Sequence, residues 1–363
     1  MNIAKYDKNM EVKEADADGL VWYRPYEKPF KLAGFNWSEQ DHVYRRFPVK
    51  PPFPLSEAVE ELSWCTAGGQ VKFRTDSGKI VVKATLRDGG GMDHMPQTGM
   101  SGFDLYTGAP GKESFLSVTR FASGATELKC ELLGCEPRRR RDFTLNFPLY
   151  KGVNELQIGL QAGATIVAPA AYRSEKPILV YGTSITQGGC ASRPGACYTN
   201  ILSRRLNQPF INLGFSGSGK GEPEVARTIA LIKNPALWVL DYEANCVNYE
   251  RFEKTLPEFI SILRAAHKKT PILVISKNRF AQEILNGAQG REQCKTMQRK
   301  LVARLQKAGD RYIYFLDGSN LLGKDYWECS VDGVHPTDLG FFRMANGIER
   351  AIKRILKNRT GTT

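Results

Sequence analysis

The chain has 363 residues, 42% of them hydrophobic and 25% charged, with a formal net charge of +13. That length suffices for two domains that each bury a core, and the composition is that of an ordinary soluble protein. No apolar run approaches the length of a transmembrane helix, and residues 1–8 lack the apolar stretch of a secretory leader. The chain as written is therefore expected in the cytoplasm, or in a secreted or periplasmic form if a leader was trimmed. Residues 1–176 hold 24 Lys/Arg against 22 Asp/Glu, whereas residues 177–363 hold 27 against 16. The excess falls on helical stretches at 264–269, 295–307 and 350–358, between apolar positions. These predict solvated helix faces and no nucleic-acid partner. The dense basic run Arg138 to Arg141 is expected in an exposed turn. The eight cysteines show neither a CxxC pair nor metal-ligand spacing, so buried free thiols are expected and no metal site. Cys130/Cys135 and Cys190/Cys197 are near enough in sequence to pair.

Residues 1–175 carry a period of two. Segments 70–73 and 79–86 alternate apolar and polar residues around Asp76-Ser77-Gly78, which predicts a hairpin. Similar short runs recur at 116–121, 126–133, 142–147 and 154–160, separated by Gly, Pro, Ser or Asn. This spacing predicts a β-sandwich of jelly-roll type. A short helix is expected within 54–63, starting near Ser56. The stretch 93–102 fits neither pattern and is expected to be a long loop, a feature that is often functional. His94 on it is a candidate second catalytic or substrate-binding histidine, the plainer alternative being a surface residue. Ala168-Pro169-Ala170-Ala171, followed by Arg173-Ser174-Glu175-Lys176, has the composition of a linker.

Beyond the linker, apolar strands at 178–181, 210–213, 237–240, 272–275 and 312–316 alternate with helical patterns. Phe252, Leu256, Phe259, Ile260 and Leu263 share one helical face. So do Met297, Leu301, Val302 and Leu305, and later Ile348, Ile352, Ile355 and Leu356. Such alternation predicts a parallel sheet with helices on both faces. Two domains follow, an all-β unit at 1–175 and an α/β unit at 176–363.

Ser184 lies two residues past the first of these strands, where open α/β sheets bind their ligands. A serine there is a candidate nucleophile, but it needs a base to take its proton. His335 supplies one, and Asp332, three residues earlier, can orient the imidazole. The strand at 210–213 runs into Gly214-Phe215-Ser216-Gly217-Ser218-Gly219, and the strand at 237–240 into Asp241-Tyr242-Glu243-Ala244-Asn245. Backbone N–H groups of the glycine loop, the Asn245 amide and the Ser184 N–H are candidate oxyanion donors. The plainer reading gives the glycines to tight turns and Asn245 to a helix cap.

Gly182-Thr183-Ser184, the glycine block, the Asn245 block and Asp332-Gly333-Val334-His335-Pro336 together resemble the SGNH/GDSL hydrolase superfamily. Gly102-Phe103-Asp104-Leu105-Tyr106 resembles the Gly-x-Asp-Leu-Tyr signature of a β domain that precedes some bacterial members. The resemblance spans roughly residues 20–355. It implies a flavodoxin-like hydrolase domain with Ser184 as nucleophile and His335 as base, oriented by Asp332. Ser184 N–H, Gly217 and Asn245 would form the oxyanion hole. Thr183 stands where the family name has Asp. The third block has Glu-Ala-Asn-Cys in place of Gly-x-Asn-Asp, which leaves Asn248 as the alternative donor.

The expected activity is hydrolysis of short acyl esters, acetyl above all, on a carbohydrate or other small alcohol, with no metal or organic cofactor and no membrane. His94, Asp104 and Tyr106, all on or beside the 93–106 loop, are candidate substrate contacts across the domain boundary. Three alternatives are a lipid-directed esterase, a non-catalytic carbohydrate-binding protein and a nucleotide hydrolase. The last rests on Gly214 to Gly221, which nearly matches a phosphate-binding loop. It lacks the Mg²⁺-binding hydroxyl at Gly221, and Pro223 would start the helix too late.

Overall fold

The computed structural model describes residues 13–135, 138–246 and 248–360. Its first part forms ten strands: β1 (Leu20–Tyr23), β2 (Lys31–Ala33), β3 (Gln70–Thr75), β4 (Lys79–Leu86), β5 (Asp104–Thr107), β6 (Ser114–Val118), β7 (Glu127–Gly134), β8 (Arg141–Asn146), β9 (Val153–Gln161) and β10 (Ile166–Val167). They make two antiparallel sheets, one ordered β1-β9-β4-β7, the other β10-β3-β8-β5-β6 with β2 also pairing β3. Between them lies a core that includes Val71, Phe73, Ile80, Val82, Leu105, Phe143, Leu145, Ile158 and Leu160. The inward residues alternate along β3, β4, β8 and β9, as two-sheet packing requires. The short helix also forms, at Glu57–Leu62, with the Ser56 hydroxyl accepting from Val59 N–H.

One expected element is different. Segments 70–73 and 79–86 are not hairpin partners: β3 belongs to the second sheet and β4 to the first. Asp76-Ser77-Gly78 is the corner where the chain changes sheets. It is held by the 161–165 segment, with Thr165 N–H donating to Asp76 Oδ1 (2.8 Å), Gln161 N–H to Ser77 Oγ (3.0 Å) and Gly78 N–H to Gln161 Oε1 (2.9 Å). Alternation marks a strand with one buried face, but the same pattern suits a hairpin and a sheet-to-sheet crossing.

The second part contributes β11 (Ile178–Gly182), β12 (Phe210–Gly214), β13 (Leu237–Asp241), β14 (Ile272–Ile275) and β15 (Ile313–Leu316). All pairs are parallel, in the order β12-β11-β13-β14-β15. This is the flavodoxin-like 2-1-3-4-5 arrangement, with its ligand crevice at the carboxyl end of β11, where the strand order reverses. Every residue of β11, β12 and β14 is buried, which explains their unbroken apolar runs. The predicted helical faces pack inward: Phe252, Leu256, Phe259, Ile260 and Leu263 are all buried.

Two apolar clusters flank this sheet, and both draw side chains from before the linker. One includes Ala67, Met95, Met100, Leu149 and Tyr150, the other Phe47 and Val59. The sandwich thus shares cores with the parallel sheet. All eight cysteines are free, six of them buried. Among the described residues, no helix is long and apolar enough to cross a membrane.

Candidate active site

Gly182 ends β11 and Thr183 turns the chain, its hydroxyl accepting from Ile185 N–H (3.2 Å) at the head of the one-turn helix Ser184–Gln187. A side chain at Gly182 would lie 1.9 Å from Thr186 Oγ1, so glycine is required for this abrupt strand-to-helix switch. Ser184 opens the helix with its Oγ 2.8 Å from His335 Nε2. His335 Nδ1 lies 2.6 Å from Asp332 Oδ2. Asp332 Oδ1 accepts from the backbone N–H groups of His335 (2.7 Å) and Val334 (3.0 Å), around a turn in which Gly333 has φ +87°. Burial works to raise the Asp332 carboxyl, but the donors from His335 and Val334 outweigh it and hold it at about 2. An ionised Asp332 keeps the imidazole proton on Nδ1 and leaves Nε2 to accept from the Ser184 hydroxyl.

The glycine loop folds onto the end of β11. Gly219 approaches Gly182 so closely that a Cβ would lie 2.0 Å from the Gly182 carbonyl oxygen, while Gly217 has φ +65° and open space around it. Asn245, ending a single turn at Glu243–Asn245, donates through Nδ2 to Phe215 O (3.2 Å), which leaves its second amide hydrogen uncommitted to that bond. Asn248 instead caps the helix Tyr249–Ala266, accepting from Arg251 N–H at 2.8 Å. The geometry therefore gathers Asn245, not Asn248, with the glycine loop. The phosphate-loop alternative fails here. The next helix starts at Pro223, and Glu222 at its head accepts from Lys220 N–H and the Tyr181 hydroxyl. A carboxylate heads the helix where a phosphate would have to sit.

The 93–102 loop crosses to the parallel-sheet part, and its residues 97–100 form a helical turn. The Thr98 hydroxyl donates to Ser192 O (2.6 Å), and Gly99 meets Ala191 so closely that a Cβ would lie 1.9 Å from its carbonyl oxygen. This docking sets the His94 ring 5.6 Å from the His335 ring, centroid to centroid. Asp104 and Tyr106 do not join it. Asp104 is fully buried, accepting from Asn146 Nδ2 (2.7 Å) and Gly195 N–H (2.7 Å) and pairing with Arg193 (3.5 Å). Burial pushes its carboxyl above the ordinary range against those donors. Tyr106 lies beneath the Arg204 guanidinium (3.9 Å) and accepts from Arg193. Both residues tie the sandwich to the 193–204 segment, and the expected substrate contact does not fit Asp104, which has no exposed area.

Several supports were not legible as such. Arg46, which looks like part of a surface basic stretch, has no exposed area and donates to the carbonyls of Gly214, Asn212 (3.5 Å) and Leu62 (2.5 Å). Its guanidinium lies 4.7 Å over the Phe215 ring, and burial lowers its pKa to about 10. It thereby fixes the base of the glycine loop from the sandwich side. Gln187 bridges the same gap, donating to Leu149 O (3.2 Å) and accepting from Ser216 N–H (3.0 Å). The Tyr150 hydroxyl donates to Ser184 O (3.2 Å). Beneath the short helix, the Tyr198 hydroxyl contacts Thr186 Oγ1 (3.1 Å) and Asp241 Oδ2 (2.9 Å), and burial raises the Asp241 carboxyl to about 7. Replacing Arg46 with Met keeps the length of the side chain but strands buried carbonyls. The variant is expected to lose about 3 kcal/mol of unfolding free energy in a urea titration.

The fold is that of esterases built on a flavodoxin-like sheet, and similarity to known proteins agrees. The profile of the GDSL-like lipase/acylhydrolase family matches residues 175–353, and that of the GxDLY N-terminus of SGNH-type esterases matches residues 20–166. A Bacteroides ovatus protein of GDSL-like lipase type is 30% identical, with 93% of this chain and 98% of that one covered and a TM-score of 0.83. The chain therefore belongs to the GDSL-like lipase/acylhydrolase family and is a carboxylic ester hydrolase, which sets aside the non-catalytic alternative. A salicylyl-acyltransferase from a tetracycline biosynthetic pathway shares the fold at 20% identity (94% and 98% covered, TM-score 0.75). So does a family two carbohydrate esterase from Clostridium thermocellum, solved with cellohexaose, at 16% identity (87% and 98% covered, TM-score 0.58). Among proteins with curated descriptions, none matches the chain.

Proposed function

We propose that the protein is a serine esterase that removes short acyl groups, acetyl in the first place, from a carbohydrate. The observation that carries this reading is the unbroken line of hydrogen bonds from Ser184 through His335 to Asp332, at the carboxyl end of β11. His335 Nε2 takes the Ser184 proton as Oγ attacks the ester carbonyl. The backbone N–H groups of Ser184 and Gly217 and the Asn245 amide receive the negative charge on the carbonyl oxygen. The protonated imidazole, steadied by ionised Asp332, then returns its proton to the leaving alcohol. Water, activated by the same base, releases the acid and frees Ser184.

A short acyl group suits the crowding at the serine. A side chain on Gly189 would lie 3.3 Å from the His335 ring, and His94 closes in from the sandwich. Carbohydrate esterases on the same fold, one of them bound to cellohexaose, support a glycan as the alcohol. One observation favours a longer, lipid-like acyl chain instead. Ile284, Leu285, Trp327 and Val331 are exposed, and Ala281 N–H ties the first two to the Asp332–His335 turn through Gly333 O (2.8 Å). Hydrolysis of 4-nitrophenyl esters from acetate to decanoate separates the readings. Turnover greatest on acetate and falling with chain length is expected; turnover rising toward decanoate would transfer the assignment to lipids.

A further inference from the structure

Cys190 occupies a backbone conformation that few non-glycine residues adopt, with φ +71°. It follows Gly188-Gly189, and Gly189 N–H donates to Ser184 O (2.8 Å), so the turn is anchored on the nucleophile's own carbonyl. Its side chain is thereby placed beside the triad. Ligand atoms of His94, Cys190 and His335 all lie within 4.8 Å of one another. From this geometry we infer that His94, Cys190 and His335 form a binding site for a zinc-type divalent cation, and that occupation of the site switches the esterase off.

The donor set is two imidazoles and one thiol, the combination that selects zinc and its neighbours over magnesium or calcium. Both histidines carry the support typical of zinc ligands, a carboxylate on the second ring nitrogen. Asp332 Oδ2 lies 2.6 Å from His335 Nδ1, and Asp93 Oδ1 lies 3.3 Å from His94 Nδ1. With a carboxylate on each Nδ1, Nε2 of each ring is the nitrogen left to ligate an ion. Zinc bonds of about 2.0–2.3 Å place ligand atoms about 3.3–3.8 Å apart, so capture requires a closure of about an ångström. His94 provides it, being 30% exposed on the outer side of the cluster. As the ion binds, the Cys190 thiol releases its proton to solvent and the sulfur becomes a thiolate ligand. The ion also takes the His335 Nε2 lone pair that otherwise accepts the Ser184 proton. Three protein ligands leave the fourth position to water.

The switching consequence rests on the proposed role of His335, whereas the binding itself does not, and the test separates the two. Co²⁺ is titrated into chelator-treated protein and its thiolate charge-transfer absorption recorded. In parallel, Zn²⁺ is titrated into the 4-nitrophenyl acetate assay. One equivalent of Co²⁺ is expected to develop the band in wild type and in Ser184→Ala, but not in Cys190→Ala. Loss of the band in His94→Ala provides an independent check should Cys190→Ala fold poorly. Zn²⁺ is expected to inhibit wild type reversibly, with activity restored by EDTA. Cys190→Ala should retain its turnover in chelator and require at least tenfold more Zn²⁺ for the same inhibition. Absence of the cobalt band, its persistence in Cys190→Ala, or equal inhibition of both proteins would overturn the assignment. A cobalt band in a wild-type protein that turns over no ester would leave the metal site standing and remove the esterase mechanism.

Discussion

Ser184→Ala is expected to lower kcat/KM on 4-nitrophenyl acetate by about 10⁴–10⁶-fold, with the urea midpoint nearly unchanged. The hydroxyl bonds His335 Nε2 at 2.8 Å, so its loss removes the attacking atom and leaves the packing alone. His335→Ala should cost a similar factor, because an alcohol without a base is a poor nucleophile. The informative measurement is the double variant. If the two side chains act as one unit, Ser184→Ala/His335→Ala will be no slower than either single variant. Multiplying losses would mean that each residue contributes independently and that the hydrogen-bonded line is not the catalytic device.

Asn245→Ala should reduce kcat by about 10²–10³-fold while changing KM little, the signature of a donor that engages the oxyanion only at the transition state. Its Nδ2 also holds Phe215 O at 3.2 Å, so the variant gives up a tether of the glycine loop as well. Asn245→Asp removes the same donor and sets a carboxylate beside Phe215 O. Such a change puts negative charge against the developing oxyanion, so it should be at least as harmful as alanine. Asn248→Ala is the control. It removes the cap of the helix Tyr249–Ala266, which costs about 1 kcal/mol of stability, and should leave turnover intact. The opposite pattern, with Asn248 essential and Asn245 dispensable, would reassign the hole.

The parallel sheet was legible because its strands are buried on both faces and therefore stand out as unbroken apolar runs between amphipathic helices. The serine, its base and the glycine loop were legible because each follows the carboxyl end of a strand or precedes the last helix. What escaped the sequence reading depends on partners far away in the chain. Asp76-Ser77-Gly78 has the composition of a hairpin turn, and only its bonds to residues 161–165 make it a corner. Arg46 has the appearance of a surface cation, and its burial follows from three carbonyls at the meeting of two sheets. Asp104 lies in a motif that suggested function, yet its bonds to Asn146 and Gly195 join the two parts of the chain. Cys190 stood out only as near enough to Cys197 to pair, and nothing linked it to histidines that are far from it in sequence.

The contacts that Arg46, Asp104 and the 93–102 loop make across the linker bear on how such a protein can be inherited. Two family profiles divide the chain near its linker, which suggests parts that could be shuffled freely among genes. The side chains tell otherwise. A foreign sandwich would have to bring an arginine for the Gly214 carbonyl, a carboxylate for Gly195 N–H and a loop that fits Ala191, all at once. Recombination at the linker would break these matches together, whereas point mutation can relax them one at a time. The two halves are thus fitted to each other at residues 46, 99 and 104, where a sandwich lacking any one of the three would leave a main-chain group of the partner half unmet or crowded.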